Sequence, residues 1–193
     1  MLLLIGSTIC VSDCETNILK LIRLGIVEIY GMWNVVVVLQ RGDGSKEIWK
    51  YEDVNIVTDE GDRYYAQRAA GETPTNNFNT MVLGNGTAPT FTKTSNFGTL
   101  TGAISGSAKV VATGYPKTND TDPDNTGGGV DVVTWKFSWS KTDFSATGIN
   151  QAVITVPSPS SSSPILTGFT MTAFDKTTND TLTIFVNHSF EGV

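Results

Sequence analysis

Hydrophobic and polar residues alternate with the two-residue period of β-strands along much of the chain after residue 32. The clearest example is VDVVTWKFSWS (130–140), where Val133, Trp135, Phe137 and Trp139 fall on one face. The polar residues between them fall on the other face. This segment is therefore predicted to be a strand with one buried and one hydrated side.

Two segments nearer the C-terminus share this pattern. In GFTMTAF (168–174) the apolar face holds Phe169, Met171 and Ala173. In TLTIFVNHSF (181–190) it holds Leu182, Ile184, Val186, His188 and Phe190. Shorter strands are predicted within 108–115 and 151–156. Residues 157–164 are rich in serine and proline and follow the strand predicted within 151–156. They are predicted to form a long exposed hairpin loop.

At the other end of this region, WNVVVVLQ (33–40), RGDGSK (41–46) and EIWKY (47–51) predict a β-hairpin. The one internal helix expected covers about 59–70. Thr58 or Asp59 can cap its acidic first turn, and Gly71 can end it. Eight or nine short strands with one short helix predict a mainly β protein, an antiparallel β-sandwich.

Residues 1–31 have a different pattern and are treated as an N-terminal extension to a sandwich domain at 32–193. Charged residues interrupt the apolar stretches, so no run is long enough to span a bilayer. One hypothesis is a short helical arm that follows a cap at Asp13 or Thr16. The other is that translation starts at Met32.

The formal net charge of −6 and the scattered 13 basic residues argue against a nucleic-acid surface. No membrane partner is expected either. The chain has one histidine, His188. A catalytic triad would join it with a serine and an aspartate from elsewhere in the chain, such as Asp175 or Asp180. A single histidine on an apolar strand face is more typical of a core residue, so a non-enzymatic protein is predicted.

The loop 116–129 holds the best candidate for metal chemistry. Asp120, Asp122 and Asp124 have the alternate spacing of oxygen-ligated calcium loops, and Asp131 falls at the twelfth position. Against a calcium site, Asn125 replaces the usual glycine. The alternative is a solvated, flexible hairpin tip. No other cofactor is expected.

MVLGNGTAPTF (81–91) suggests a phosphate-binding loop, but no helix or Lys-Ser/Thr pair follows the glycines. It is predicted to be a turn at a strand end, with Gly84 and Gly86 at positive φ.

Several segments between about 54 and 190 resemble small β-rich virion proteins of tailed bacteriophages. They are the T-x-x-G helix start at Thr58–Gly61, the glycine-rich turn at Leu83–Pro89 and the strand at Asp180–Phe185. The resemblance implies a structural component of the virion (head decoration, neck or tail), assembled in the bacterial host cytoplasm. Its partners would be other virion proteins and further copies of itself.

A second hypothesis is a carbohydrate-binding module on a host-attachment structure, with calcium assisting. Trp135 and Trp139 could stack on sugar rings if they were exposed. Their alternation with Phe137 favours a core face instead.

Overall fold

A computed structural model describes residues 34–52 and 54–190. Within them, ten strands form two antiparallel sheets and one α-helix packs beside them, which confirms the predicted mainly β sandwich. The N-terminal extension predicted at 1–31 lies outside the described residues. The elements are β1 (Val35–Gln40), β2 (Lys46–Tyr51), β3 (Asn55–Val57), α1 (Asp59–Ala69), β4 (Thr80–Gly84), β5 (Lys109–Val110), β6 (Lys117–Thr118), β7 (Val132–Trp139), β8 (Ala146–Thr155), β9 (Ile165–Lys176) and β10 (Thr181–Ser189).

The first sheet has the strand order β2-β1-β10-β7-β6, and the second has the order β3-β9-β8-β4-β5. At the centre of the first sheet β1 pairs with β10, with Val37 opposite Ile184. Strands β8 and β9 form the hairpin predicted around 157–164, and most of its connecting loop is exposed. Because β1 pairs with β10, the first sheet joins strands from opposite ends of the described chain.

The space between the sheets is filled by large side chains from β7. Trp135, Phe137 and Trp139 are at most 1% exposed, as their alternation predicts. They pack in one cluster with Met81 of β4 and Phe169 of β9. Burial of side chains of this size contributes about 1.5–3 kcal/mol each, so this layer is a principal source of stability.

The run of four valines in β1 is buried on both faces. Val35 and Val37 point into the core between the sheets. Val36 and Val38 form a separate cluster with Phe185 on the outer face of the first sheet. Because neither face is left to water, β1 does not alternate between apolar and polar residues.

The prediction for 168–174 is correct at Phe169 and Met171 and wrong at Ala173, which is exposed. Gln151 of β8 faces Thr170 in β9, whereas Ile149 faces Phe174. Between these two pairs, three residues of β9 (171–173) lie opposite one residue of β8 (Asn150). The two-residue alternation of β9 is interrupted at this bulge, and Phe174 is buried in place of Ala173.

Helix α1 begins and ends close to the predicted residues. The Thr58 hydroxyl accepts a 3.1 Å hydrogen bond from the Gly61 N–H and so caps the first turn. At the other end Gly71 has φ of 74°, and the Glu72 N–H donates to the carbonyl of Gln67. Glycine is required at position 61 because a Cβ there would overlap the carbonyl oxygen of Leu166 in β9. Among the described residues, no helix is long and apolar enough to cross a membrane.

Candidate functional site

Hydrogen bonds and ion pairs made by its own aspartates fix the acidic loop between β6 and β7. Asp120, only 7% exposed, accepts hydrogen bonds of 2.9 Å from the Tyr115 hydroxyl and 2.8 Å from the Asn125 amide. It also forms an ion pair of 2.9 Å with Lys117. Burial raises the pKa of Asp120, but the hydrogen bonds from Asn125, Lys117 and Tyr115 outweigh it, and the net pKa is lowered.

The next two aspartates reach lysines on two separated strands. Asp122 pairs with Lys136 of β7 at 2.7 Å, and Asp124 pairs with Lys46 of β2 at 2.8 Å. Both lysines lie on the outer face of the first sheet, since they alternate in sequence with inward-facing residues. The loop therefore lies across that face, over the cluster that contains Phe185. Lys136 Nζ is 5.3 Å from the centre of the Phe185 ring.

The three aspartates whose spacing suggested calcium ligands, Asp120, Asp122 and Asp124, thus each form an ion pair with a different lysine. Asp131 stands apart, exposed and just before β7, with its backbone carbonyl accepting from the Phe190 N–H. Over residues 34–52 and 54–190, no group of three or more His, Cys, Asp or Glu side chains is arranged to hold a metal ion. The geometry gives the calcium hypothesis no support.

The loop also contributes to a buried polar cluster, so the interpretation as a flexible, solvated tip is wrong. Asn125 is 6% exposed and exchanges side-chain hydrogen bonds of 3.1 and 3.0 Å with Asn187 of β10. The Thr134 hydroxyl donates to the same Asn187 at 2.8 Å. Buried amides that satisfy one another in this way fix the position of the loop. Sequence spacing does not reveal these contacts, because Asn125 and Asn187 are 62 residues apart.

His188 is buried where the sequence places it, on the inner face of β10. Its Nδ1 atom is 2.5 Å from the Tyr65 hydroxyl, which also receives a 2.8 Å hydrogen bond from Trp135 Nε1. Burial lowers the pKa of His188 to about 3, with Asp62 acting weakly in the opposite direction. Burial raises the pKa of Tyr65. Both side chains are therefore neutral over the ordinary pH range.

The structure does not assemble the triad considered for His188. Asp175 lies near the end of β9 and Asp180 in the turn just before β10, whereas His188 is near the other end of β10. Eight residues of extended chain separate Asp180 from His188, about 26 Å. Asp180 instead accepts hydrogen bonds from the Thr177 and Gly42 N–H groups and contacts Arg41 at 3.3 Å. These contacts stabilise two adjoining turns.

The tryptophans proposed as a sugar platform are core residues. Trp135 and Trp139 are 0% and 1% exposed, and Trp139 Nε1 donates to the carbonyl of Ser107. Trp49 in β2 is half-buried and stacks on Phe174 at 5.3 Å. A sugar ring therefore cannot stack on Trp135 or Trp139, because both side chains are covered by the core.

The Gly-Asn-Gly segment forms a turn after β4, as predicted, but not for the predicted reason. Neither Gly84 nor Gly86 has a positive φ. A Cβ at either position would lie 2.6 Å from an oxygen of Thr101, on the chain segment that runs alongside. Close approach of two backbone segments, rather than a left-handed conformation, requires these glycines.

The exposed apolar side chains of the sandwich lie at its edges and at one end. Among the described residues, the large hydrophobic side chains that are exposed are Ile48 (43%), Val110 (61%), Val130 (79%) and Phe190 (50%). Ile48 belongs to edge strand β2 and Val110 to edge strand β5. Val130 and Phe190 are close to each other, because Phe190 N–H donates to the carbonyl of Asp131. Of these positions, Ile48 and Val110 are the ones at which another protein could gain apolar contact together with strand pairing.

Comparison of the chain with models of protein families, with curated proteins and with solved structures finds no match. The function is therefore inferred from the residues and geometry of this chain.

Proposed function

We propose that this protein is a non-catalytic structural component of a tailed-phage particle that acts through protein–protein contacts, with other virion proteins and with further copies of itself. The observation that carries the proposal is the placement of exposed apolar side chains on two of the four edge strands, Ile48 on β2 and Val110 on β5. Edge strands present unpaired backbone groups, and apolar residues beside them favour association with another chain.

The assignment to a phage particle rests on the resemblance described above. Each segment that carries it has a structural role here. Thr58 and Gly61 begin α1 and let it approach β9. Gly84 and Gly86 let two backbone segments pass closely. Asp180 joins two turns. The resemblance thus supports a shared architecture, and the contacts with partners are expected from the edges instead.

The virion assignment is tested by peptide-level mass spectrometry of purified particles from the source. We expect peptides of this chain in stoichiometric amounts, and the copy number then separates a decoration protein from a tail or neck protein. Absence of the chain from washed particles would overturn the assignment. Glycan-array binding by the purified protein in that case would favour the carbohydrate-binding hypothesis through a surface other than Trp135 and Trp139.

The edge-strand contact is tested by light scattering of the purified protein over a range of concentrations. Lysine on an edge strand opposes pairing with another chain. Ile48→Lys and Val110→Lys are therefore expected to lower the oligomeric state without changing the circular dichroism spectrum. Val130→Lys is the matched control, because Val130 is more exposed but lies in a loop. A monomeric wild-type protein that also fails to bind particles would contradict the proposal.

A further inference from the structure

A cleft of about 550 Å³ lies between α1 and the end of β10. One wall is the exposed side of the helix, with Ala66 and Ala69, and the opposite wall is Phe190. His188 and Tyr65 lie between the two walls. Its volume is in the range of pockets that hold small organic molecules.

The hydrogen bonds behind the cleft fix which nitrogen of His188 carries the proton. Trp135 Nε1 can only donate, so at 2.8 Å the Tyr65 oxygen must be its acceptor. Among the described residues, the only other hydrogen-bond partner of the Tyr65 hydroxyl is His188 Nδ1, 2.5 Å away, so we assign the hydroxyl proton to that bond. Nδ1 therefore acts as an acceptor, and the neutral imidazole carries its proton on Nε2.

That Nε2–H group has no hydrogen-bond partner within residues 34–52 and 54–190, although His188 is only 3% exposed. The hydroxyl of the next residue, Ser189, also lacks a partner among the described residues. Buried polar groups are nearly always paired, because leaving a donor unpaired is costly. An unpaired donor on a residue that lines a cleft therefore points to a ligand that supplies the acceptor. Nε2 itself has almost no exposed surface, so the ligand must move side chains at the base of the cleft to reach it.

The other groups around the cleft restrict the charge of that ligand. The walls are apolar, which favours burial of a hydrocarbon surface. Asp62 on the rim repels anions, and its ion pair of 2.7 Å with Lys93 already satisfies one carboxylate oxygen. A neutral ligand fits both observations better than a phosphate or a carboxylate.

We propose that this cleft binds a neutral, largely apolar molecule through a carbonyl or ether oxygen that accepts a hydrogen bond from His188 Nε2. The Trp135–Tyr65–His188 chain acts as a positioning device that presents this one donor in a fixed tautomer. The inference is independent of the proposed function, since it concerns a cleft away from β2 and β5.

Binding can be measured by titrating the full-length protein with acetophenone and with ethylbenzene, which has a methylene in place of the carbonyl. The methyl signals of Ala66 and Ala69 in NMR spectra report occupancy of the cleft for both probes. We expect acetophenone to bind about five- to tenfold more tightly, which is the usual effect of one net hydrogen bond. Because the chain has a single histidine, the Nε2–H signal of His188 can be followed directly.

The matched variant is His188→Asn. Its side-chain oxygen can take the place of Nδ1 and accept from Tyr65, and its amide nitrogen takes the place of Cδ2, so no donor reaches the position of Nε2. Its affinity for acetophenone should fall to the value for ethylbenzene. Ala69→Leu fills the cleft from an exposed helix position and should abolish binding of both probes while the His188 tautomer is kept. Equal affinities of the two probes for the wild-type protein, or no binding of either, would overturn the proposal.

Discussion

The buried histidine makes a specific contribution to the pH dependence of stability. In the unfolded chain His188 titrates near its ordinary pKa of 6.5, whereas burial lowers the folded-state pKa to about 3. Between these values the unfolded state binds a proton that the folded state does not, so stability falls as the pH falls from 6.5 towards 3. Applying the two pKa values at pH 5 gives a loss of about 2 kcal/mol relative to pH 7.

Urea unfolding of the wild-type protein and of His188→Asn at pH 7 and pH 5 measures this contribution. Both proteins share the titration of their carboxylates, so the difference between their pH dependences isolates the histidine. We expect the wild-type protein to lose about 2 kcal/mol more than the variant over this interval. A separate NMR titration should show His188 still neutral at pH 5. Equal losses in both proteins, or an NMR midpoint near 6.5, would refute the reasoning.

Four further perturbations should have distinct effects. Gly61→Ala should destabilise the protein by about 1–3 kcal/mol in urea unfolding, although alanine favours helices, because its methyl group would overlap the Leu166 carbonyl; a gain in stability would contradict this. Asn187→Ala should lower the free energy of unfolding by about 1–3 kcal/mol, because it leaves buried partners unpaired. In the same urea experiment, Lys46→Gln should lower it by less than about 1 kcal/mol, because the ion pair of Lys46 with Asp124 is exposed. Calcium at about 1 mM should move the melting temperature by less than about 1 °C relative to EDTA, and a rise of several degrees would restore the calcium hypothesis.

Local patterns predicted the parts of the fold that depend on neighbours in sequence. The alternation in β7 identified Trp135 and Phe137 as core residues, and the cap and glycine signals placed α1. Each of these signals is contained in about a dozen consecutive residues. They can be read without knowing which other segment packs against them.

The features that depend on distant partners were not predictable from such patterns. The bulge that exposes Ala173 is visible only in the pairing of β9 with β8. The aspartate spacing matched a calcium loop because nothing local shows that Lys46 and Lys136 come to meet those carboxylates. Only Lys117, three residues before Asp120, was close enough in sequence to suggest an ion pair. The hydrogen bond between Tyr65 and His188 spans 123 residues and leaves no sequence signal.

The pairing of β1 with β10 has a consequence for how the protein is made. Thr181–Ser189 is synthesised long after Val35–Gln40, and at about 5–20 residues per second the interval is roughly 7 to 28 s. During that time β2 can pair with one side of β1, while the other side of a four-valine strand stays unprotected. Such a segment is prone to pair with another nascent chain. Slow folding is therefore expected from the strand order of the first sheet.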